Sequence, residues 1–266
     1  MGELTDELLE LARQIGREAA DLVRTRREAG VQVAGTKSSI TDVVTEADHA
    51  SEALILERIL AARPDDGVLG EEGSDTVGSS GVRWVVDPID GTVNYLYGLA
   101  QYAVSIGVEV DGVMQVGVVV NAATGDEFTA VRGRGATRNG RPIAVRETGT
   151  LDRAVVSTGF NYELEVRTRQ ASAVAALVVR VADIRRFGSC ALDLCALAAG
   201  QSDGYVEEGC MPWDHAAGGL IAEEAGAVVQ VLTGASGRAL VVAAPRPAYP
   251  EFLGLVRSCG FTGNGT

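Results

Sequence analysis

Apolar residues recur at helical spacing from Leu4 to Glu28. Leu8, Leu11, Ile15 and Leu22 share a stripe with charges between them, which predicts an amphipathic helix ending near Gly30. Val31 to Thr45 mixes β-branched residues with turn formers and reads as a hairpin or irregular strand pair. A second helix is predicted over Ala47 to Ala62, with Leu54, Ile55, Ile59 and Leu60 toward a core, stopping before Pro64. Gly67-Val68-Leu69-Gly70 is a short strand running into Glu71-Glu72-Gly73, and Ser74 to Gly81 reads as a flexible surface loop. The apolar run Trp84-Val85-Val86 reads as a buried strand that stops at Asp87, because Pro88 disfavours helical geometry in the residue before it. Asp90-Gly91-Thr92 then opens a helix with Asp90 as candidate N-cap. Strands follow at Tyr102 to Val110, Val113 to Asn121, Glu127 to Val131 and Arg141 to Val145. Asp111-Gly112, Thr124-Gly125 and Asn139-Gly140 mark their turns, so this sheet is mostly antiparallel.

Past Leu151 the rhythm changes to alternation. Strands are predicted at Ala154 to Ser157, Ala182 to Ile184, Tyr205 to Glu207, Ala227 to Val231 and Ala239 to Val242. Helices are predicted at Leu164 to Val179, Cys190 to Ala199, Trp213 to Ala225 and Pro247 to Cys259. The chain thus divides into an N-terminal α+β lobe, residues 1–150, and a C-terminal α/β lobe, residues 151–266, packed in layers.

Composition narrows the chemistry. Of 266 residues, 46% are hydrophobic and 22% charged, as in soluble globular proteins. The longest apolar runs fall short of the roughly 18 residues a membrane span needs, and the acidic N-terminus lacks a basic-then-apolar signal, so a cytoplasmic protein is expected. The four cysteines form no C-x-x-C pair and read as buried thiols. A net charge of −13 argues against a nucleic-acid surface. It also opposes an anionic substrate, unless bound divalent cations reverse the field locally. His49 and His215 are the only histidines and Lys37 the only lysine, which disfavours zinc or iron centres and leaves Schiff-base chemistry one candidate.

Four acidic clusters remain: Thr41-Asp42-Val43-Val44-Thr45-Glu46-Ala47-Asp48, Gly70-Glu71-Glu72-Gly73, Asp87-Pro88-Ile89-Asp90-Gly91-Thr92, and Pro212-Trp213-Asp214-His215-Ala216-Ala217-Gly218. Each has an ordinary explanation taken singly, as a helix cap, a solvated loop or an Asx turn. Yet all four put a carboxylate at an element end, which is how open sheets build sites, and oxygen donors without histidine point to Mg2+. Amides at a helix start beside such carboxylates suit a phosphate.

These motifs, D-P-I-D-G-T after G-E-E and before W-D-x-A-G, closely resemble those of the inositol monophosphatase family. D-V-V-T-E-A-D resembles its D-x-V-T-x-x-D. Arg186 to Leu194 resembles its R-x-x-G-S/T-A-A segment, with Cys190 where alanine is more usual. The similarity runs over nearly the whole chain in the family's order, and D-G-T-V-N-Y-L-Y-G with A-L-D-L-C looks most like the bacterial SuhB-type branch. The resemblance implies a layered αβαβα sandwich with an antiparallel-rich N-terminal sheet. It implies a lithium-sensitive phosphatase using two or three Mg2+ ions, held by Glu71, Asp87, the Ile89 carbonyl, Asp90 and Asp214, with Asp87 bridging. It further implies that Thr92 and Asp48 orient a metal-bound water, with Glu71 near a third ion. Gly91 and Thr92 would bind phosphate, and Asp90, Gly188, Ser189, Cys190 and Glu207 would face the alcohol. The implied substrate is inositol monophosphate and the implied assembly a homodimer. Fructose 1,6-bisphosphate, histidinol phosphate, 3′-phosphoadenosine 5′-phosphate and an added protein-binding role stand as alternatives. Glu208 reads as exposed, Lys37 as equally a loop residue over the metals or a solvated lysine, and Thr158 to Asn161 as a further substrate contact.

Other phosphate sites fit poorly. A haloacid-dehalogenase-type phosphatase needs D-x-D, whereas Asp87 and Asp90 are D-x-x-D. Thr36 interrupts the P-loop spacing before Lys37, and Arg138 stands where a dinucleotide loop needs its third glycine.

Overall fold

The N-terminal amphipathic run forms α1 (Gly2–Ala29), burying Leu8, Ala12, Ile15, Ala19 and Val23. Charge fixes its position along the sheet as well: Arg13 and Arg17 donate to Glu127 at 3.0 and 2.6 Å. The computed structural model describes residues 2–31, 33–36, 43–147 and 149–263, so Lys37 and Asp42 lie outside the described residues. The short strands β1 (Val33–Thr36) and β2 (Val43–Thr45) pair antiparallel and lead into α2 (Glu46–Ala62). Thr45 caps α2 reciprocally with Asp48. The buried stripe of α2 differs from the sequence expectation. Ile55 and Ile59 face the core but Leu60 is exposed, and Asp48, Ser51 and Glu52 complete the buried side.

The first sheet follows: β3 (Gly67–Gly70), β4 (Asp75–Thr76), β5 (Val82–Asp90), then α3 (Thr92–Tyr97), β6 (Ala103–Val110), β7 (Val113–Asn121), β8 (Glu127–Val131), β9 (Ala136–Arg138) and β10 (Arg141–Ile143). Its order is β10-β9-β8-β7-β6-β5-β3-β4, antiparallel throughout except where β3 runs parallel to β5. Asp111 and Asn139 adopt positive φ in the expected hairpin turns. Strands β4 and β9 were not anticipated. The loop after β4 is tied down rather than free, since Ser80 donates to buried Asp66, which also accepts from Trp84 Nε1 at 2.9 Å. The largest departure is β5, expected to stop at Asp87. It continues through Pro88 to Asp90 with a register shift between Asp87 and Asp90. Pro88 is tolerated because a bulge leaves a residue out of the ladder. Helix α3 therefore starts one step later than expected, with Gly91 at φ 95° as its N-cap in place of Asp90.

The second half holds β11 (Val155–Thr158), α4 (Leu164–Val178), β12 (Asp183–Arg185), α5 (Cys190–Ala198), β13 (Gly204–Glu208), α6 (Pro212–Glu224), β14 (Ala227–Thr233), β15 (Ala239–Pro245) and α7 (Tyr249–Ser258). Its sheet has the order β12-β11-β13-β15-β14, with β11 parallel to both neighbours. Alternation along the strands sorts the core into three interfaces. Ile106, Val108, Val116, Val118 and Val120 face α1 and α2. Ala103, Val119, Val241 and Ala243 face α5 and α6 between the sheets, and Leu240, Val242 and Ala244 face α4 and α7. The result is an αβαβα sandwich whose central helices are covered on both sides.

That central layer is thin because its residues are small. A Cβ on Gly117 of β7 would lie 2.7 Å from the Ala217 carbonyl of α6. Gly117→Ala is accordingly expected to destabilise the fold by roughly 1–3 kcal/mol in urea unfolding, through forced separation of β7 and α6. An unchanged midpoint would refute that contact as a packing limit.

Candidate active site

The β5 bulge decides which way two carboxylates point. Residues three apart on a regular strand face opposite sides of the sheet. Here Asp87 pairs with Ser105 and Asp90 with Ala103, three residues opposing two. Both aspartates therefore share the face of Ala103, toward the central helices. They line a cavity of about 310 Å³ together with Glu71, Asp214, Thr92 and Glu207.

Each carboxylate is held by neighbouring groups. Asp87, 2% exposed, accepts the Ile89 N–H at 3.0 Å, an Asx turn at Asp87 rather than at the Asp90-Gly91 pair. Its carboxyl is also hydrogen-bonded to Glu71. Asp90 accepts from the Ser189 hydroxyl at 2.6 Å and the Ala191 N–H at 2.7 Å. Read from sequence as a cap for α3, it instead sits at the amino end of α5, bridging the two halves of the chain. Asp214, third residue of α6, accepts the Met211 N–H at 2.7 Å. Asp48, fully buried, accepts from Thr45 N at 2.8 Å and from the Thr92 hydroxyl at 3.1 Å. The same hydroxyl lies 3.0 Å from the Ile89 carbonyl.

The electrostatics are those of crowded like charges. Burial first, and then Glu71, Asp90 and Asp214, push the Asp87 carboxyl well above the usual carboxylate range. Burial, Asp90 and Glu71 do the same to Asp214. Burial lifts Asp90 to about 6 against the opposing pull of Ser189 and Ala191. Among the described residues no three acidic, histidine or cysteine side chains already stand as a closed metal-binding group. The donor chemistry nonetheless fits a hard divalent cation: only carboxylate and carbonyl oxygens, Asp87 and Asp90 buried and Glu71 and Asp214 half-buried, with a surplus of negative charge that a cation would neutralise. His215 does not line the cavity, and burial lowers its pKa.

Several groups that shape the site carried no motif. Glu52 accepts from Glu72 N, Ser74 N and Ser74 Oγ at 2.8, 3.0 and 2.7 Å, clamping the loop that carries Glu71. Ser51 donates to the Pro88 carbonyl at 3.1 Å. Their signal was present as polar residues at i+3 and i+4 from Asp48, on the stripe of Ile55 and Ile59. Asn94 of α3 donates to the Gln101 and Phe187 carbonyls, both at 2.7 Å, and ties the Gly188-Ser189 loop to the β5 turn. Gly91 is required there, since a Cβ would meet the Gln101 carbonyl at 2.7 Å. Glu207 receives the Tyr205 hydroxyl at 2.8 Å, and burial raises its pKa. Glu208, expected to be exposed, is buried and accepts from Ser236 N and Oγ, closing the turn after β14. Cys190 lines the cavity, and all four cysteines are buried free thiols as expected.

The model of the inositol monophosphatase family matches residues 4–259. Inositol-1-monophosphatase SuhB of Mycobacterium tuberculosis (strain ATCC 25618 / H37Rv) is 44% identical over 266 residues, covering 92% of this chain and 91% of that protein. Nus factor SuhB of Pasteurella multocida (strain Pm70) is 39% identical over 259 residues, covering 95% and 96%. The crystal structure of the extragenic suppressor protein suhB from Bartonella henselae superposes with a TM-score of 0.86 at 32% identity, covering 95% of this chain and 98% of that one.

The Glu52 clamp is testable on its own. Glu52→Ala removes the acceptor of three donors and is expected to destabilise by roughly 1–3 kcal/mol, with faster amide exchange at Glu72 and Ser74. Unchanged protection of those two amides would show that the loop does not depend on Glu52.

Proposed function

The chain belongs to the inositol monophosphatase family, and on that premise we propose that it is a Mg2+-dependent phosphomonoesterase hydrolysing inositol monophosphate to inositol and phosphate by direct attack of water. The observation that carries the reading is the β5 bulge, which turns Asp87 and Asp90 to one face beside Glu71 and Asp214. Glu71, Asp87, the Ile89 carbonyl, Asp90 and Asp214 would hold the ions, Asp87 between them. Mg2+, when bound there, supplies positive charge for the phosphate oxygens and for the departing alkoxide.

The chain's own residues do the rest. Thr92 stands between Asp48 and the cavity, so its hydroxyl can accept a proton from the attacking water while donating its own to the Asp48 carboxylate. Asp48 is oriented for this by two contacts with Thr45. The amides of Gly91 and Thr92 would bind phosphate oxygens. Asp87 and Asp90 are already engaged by backbone and hydroxyl donors, which favours a water nucleophile over a carboxylate one. Asp90, Gly188, Ser189, Cys190 and Glu207 would face the alcohol, and a cavity of about 310 Å³ suits a compact polyol monophosphate better than a nucleotide bisphosphate. The name of the Pasteurella multocida relative supports an added protein-binding role, which would survive in a catalytically dead variant.

Asp87→Asn tests the centre. Phosphate release is expected to fall by about a thousandfold or more at saturating Mg2+. The metal-free variant should melt no lower than the wild type, because a mutually repelling carboxylate is gone. Turnover near the wild-type kcat would remove Asp87 from the mechanism. Phosphate release from a panel of sugar phosphates, with and without Li+, identifies the substrate. Indifference to Li+ would count against the family-like ion arrangement.

A further inference from the structure

Where β11 ends, the Thr158 hydroxyl donates to the Val206 carbonyl at 2.7 Å and locks this strand end against β13. The next residue, Gly159, is buried, and its φ lies outside the left-handed region. Its significance is spatial. A Cβ built there would lie 2.0, 2.1 and 2.2 Å from Oε2, Cδ and Oε1 of Glu207. The Glu207 carboxylate thus rests in the space a side chain at 159 would fill, held by the Tyr205 hydroxyl at 2.8 Å and facing the charge of Arg186. The segment beyond is fixed too. Asn161 N donates to Gln170 at 2.8 Å, and the Gln170 amide donates to the Glu208 carbonyl at 2.8 Å. Phe160 and Asn161 continue the cavity wall.

We propose that Gly159 is a specificity-determining positioning residue. By leaving room for Glu207 to lie back against β11, it sets the depth of the alcohol end of the cavity and presents two carboxylate oxygens to neighbouring hydroxyls of the leaving group. The alcohols selected are compact polyols carrying a vicinal diol. A side chain at 159 pushes the carboxylate into the space such a ring needs. This rests on the reading that the Glu207 end of the cavity receives the alcohol.

Gly159→Ala is the direct test, since φ there is outside the left-handed region and the three atoms nearest the new Cβ all belong to the Glu207 carboxyl group. For inositol 1-phosphate, KM is expected to rise roughly tenfold with kcat within about twofold. For p-nitrophenyl phosphate, whose leaving group has no hydroxyl beside the ester, both constants should stay within about twofold. Glu207→Asp in the Gly159→Ala background withdraws the carboxylate by one methylene and should recover most of the lost KM. An unchanged KM, an equal loss on both substrates, or no recovery in the double variant would each overturn the proposal. Should Gly159→Ala fail to fold, Tyr205→Phe, which removes the hydroxyl that holds the Glu207 carboxylate back, must raise KM for inositol 1-phosphate and not for p-nitrophenyl phosphate, and the absence of that split overturns the proposal equally. A wild-type protein that hydrolyses neither ester would instead overturn the phosphatase reading.

Discussion

Crowding of negative charge at the end of β5 is the constraint on which the rest of this structure depends. Glu71, Asp87, Asp90 and Asp214 crowd one end of the cavity, and burial with mutual repulsion raises Asp87 and Asp214 far above their ordinary range. Left to relax, such groups would swing apart into water. They are prevented by contacts made elsewhere: Glu52 grips the loop of Glu71, Ser51 holds the Pro88 carbonyl, and the start of α5 receives Asp90. Two of these holding contacts come from α2 and the third from α5. The arrangement is a functional strain supported by the scaffold.

The scaffold can bear this because its central layer is dense. α5 and α6 lie between two sheets, and glycines and alanines let the backbones of β7 and α6 approach closely. A dense layer does not deform continuously, so the amino end of α5 is a fixed point for Asp90 rather than a yielding one. Asp90 is consequently both a cavity residue and the strut between the halves of the chain. Gly91 and Asn94 serve the same junction from the α3 side, the first by its lack of a Cβ and the second by reaching the Phe187 carbonyl.

Most elements and all four acidic clusters were legible in the sequence, because strand alternation and helical stripes record burial directly. What escaped notice had specific physical reasons. Pro88 suggests a strand end, and only pairing with β6 reveals that a bulge absorbs it. Asp90 has the spacing of an α3 cap, whereas its donors, Ser189 and Ala191, lie about a hundred residues away in sequence. Ser51 and Glu52 look like solvated polar residues unless their place on the Ile55 stripe is counted against them. Glu208 sits beside Glu207 yet points to a separate turn, as alternation along β13 requires. The pairings of Pro88 and Asp90 are long-range, and local patterns hold no information on them.

The two ends of the cavity are built from different layers, and this bears on how such a site can change. The carboxylates and the Thr92–Asp48 pair come from β3, β5, α2 and α3, with α6 adding Asp214. The Glu207 end comes from β11 and β13 of the second sheet, with Tyr205 and the emptiness at Gly159 placing its carboxylate. Glu207 still bears on the other carboxylates through space, since its charge helps to raise both Asp90 and Asp214. Asp87 and Asp90 nonetheless take their register from the bulge of β5 and not from β11 or β13. The two ends of the cavity are thus anchored to different sheets, and Asp90, held by Ser189 and Ala191, is the residue at which they join.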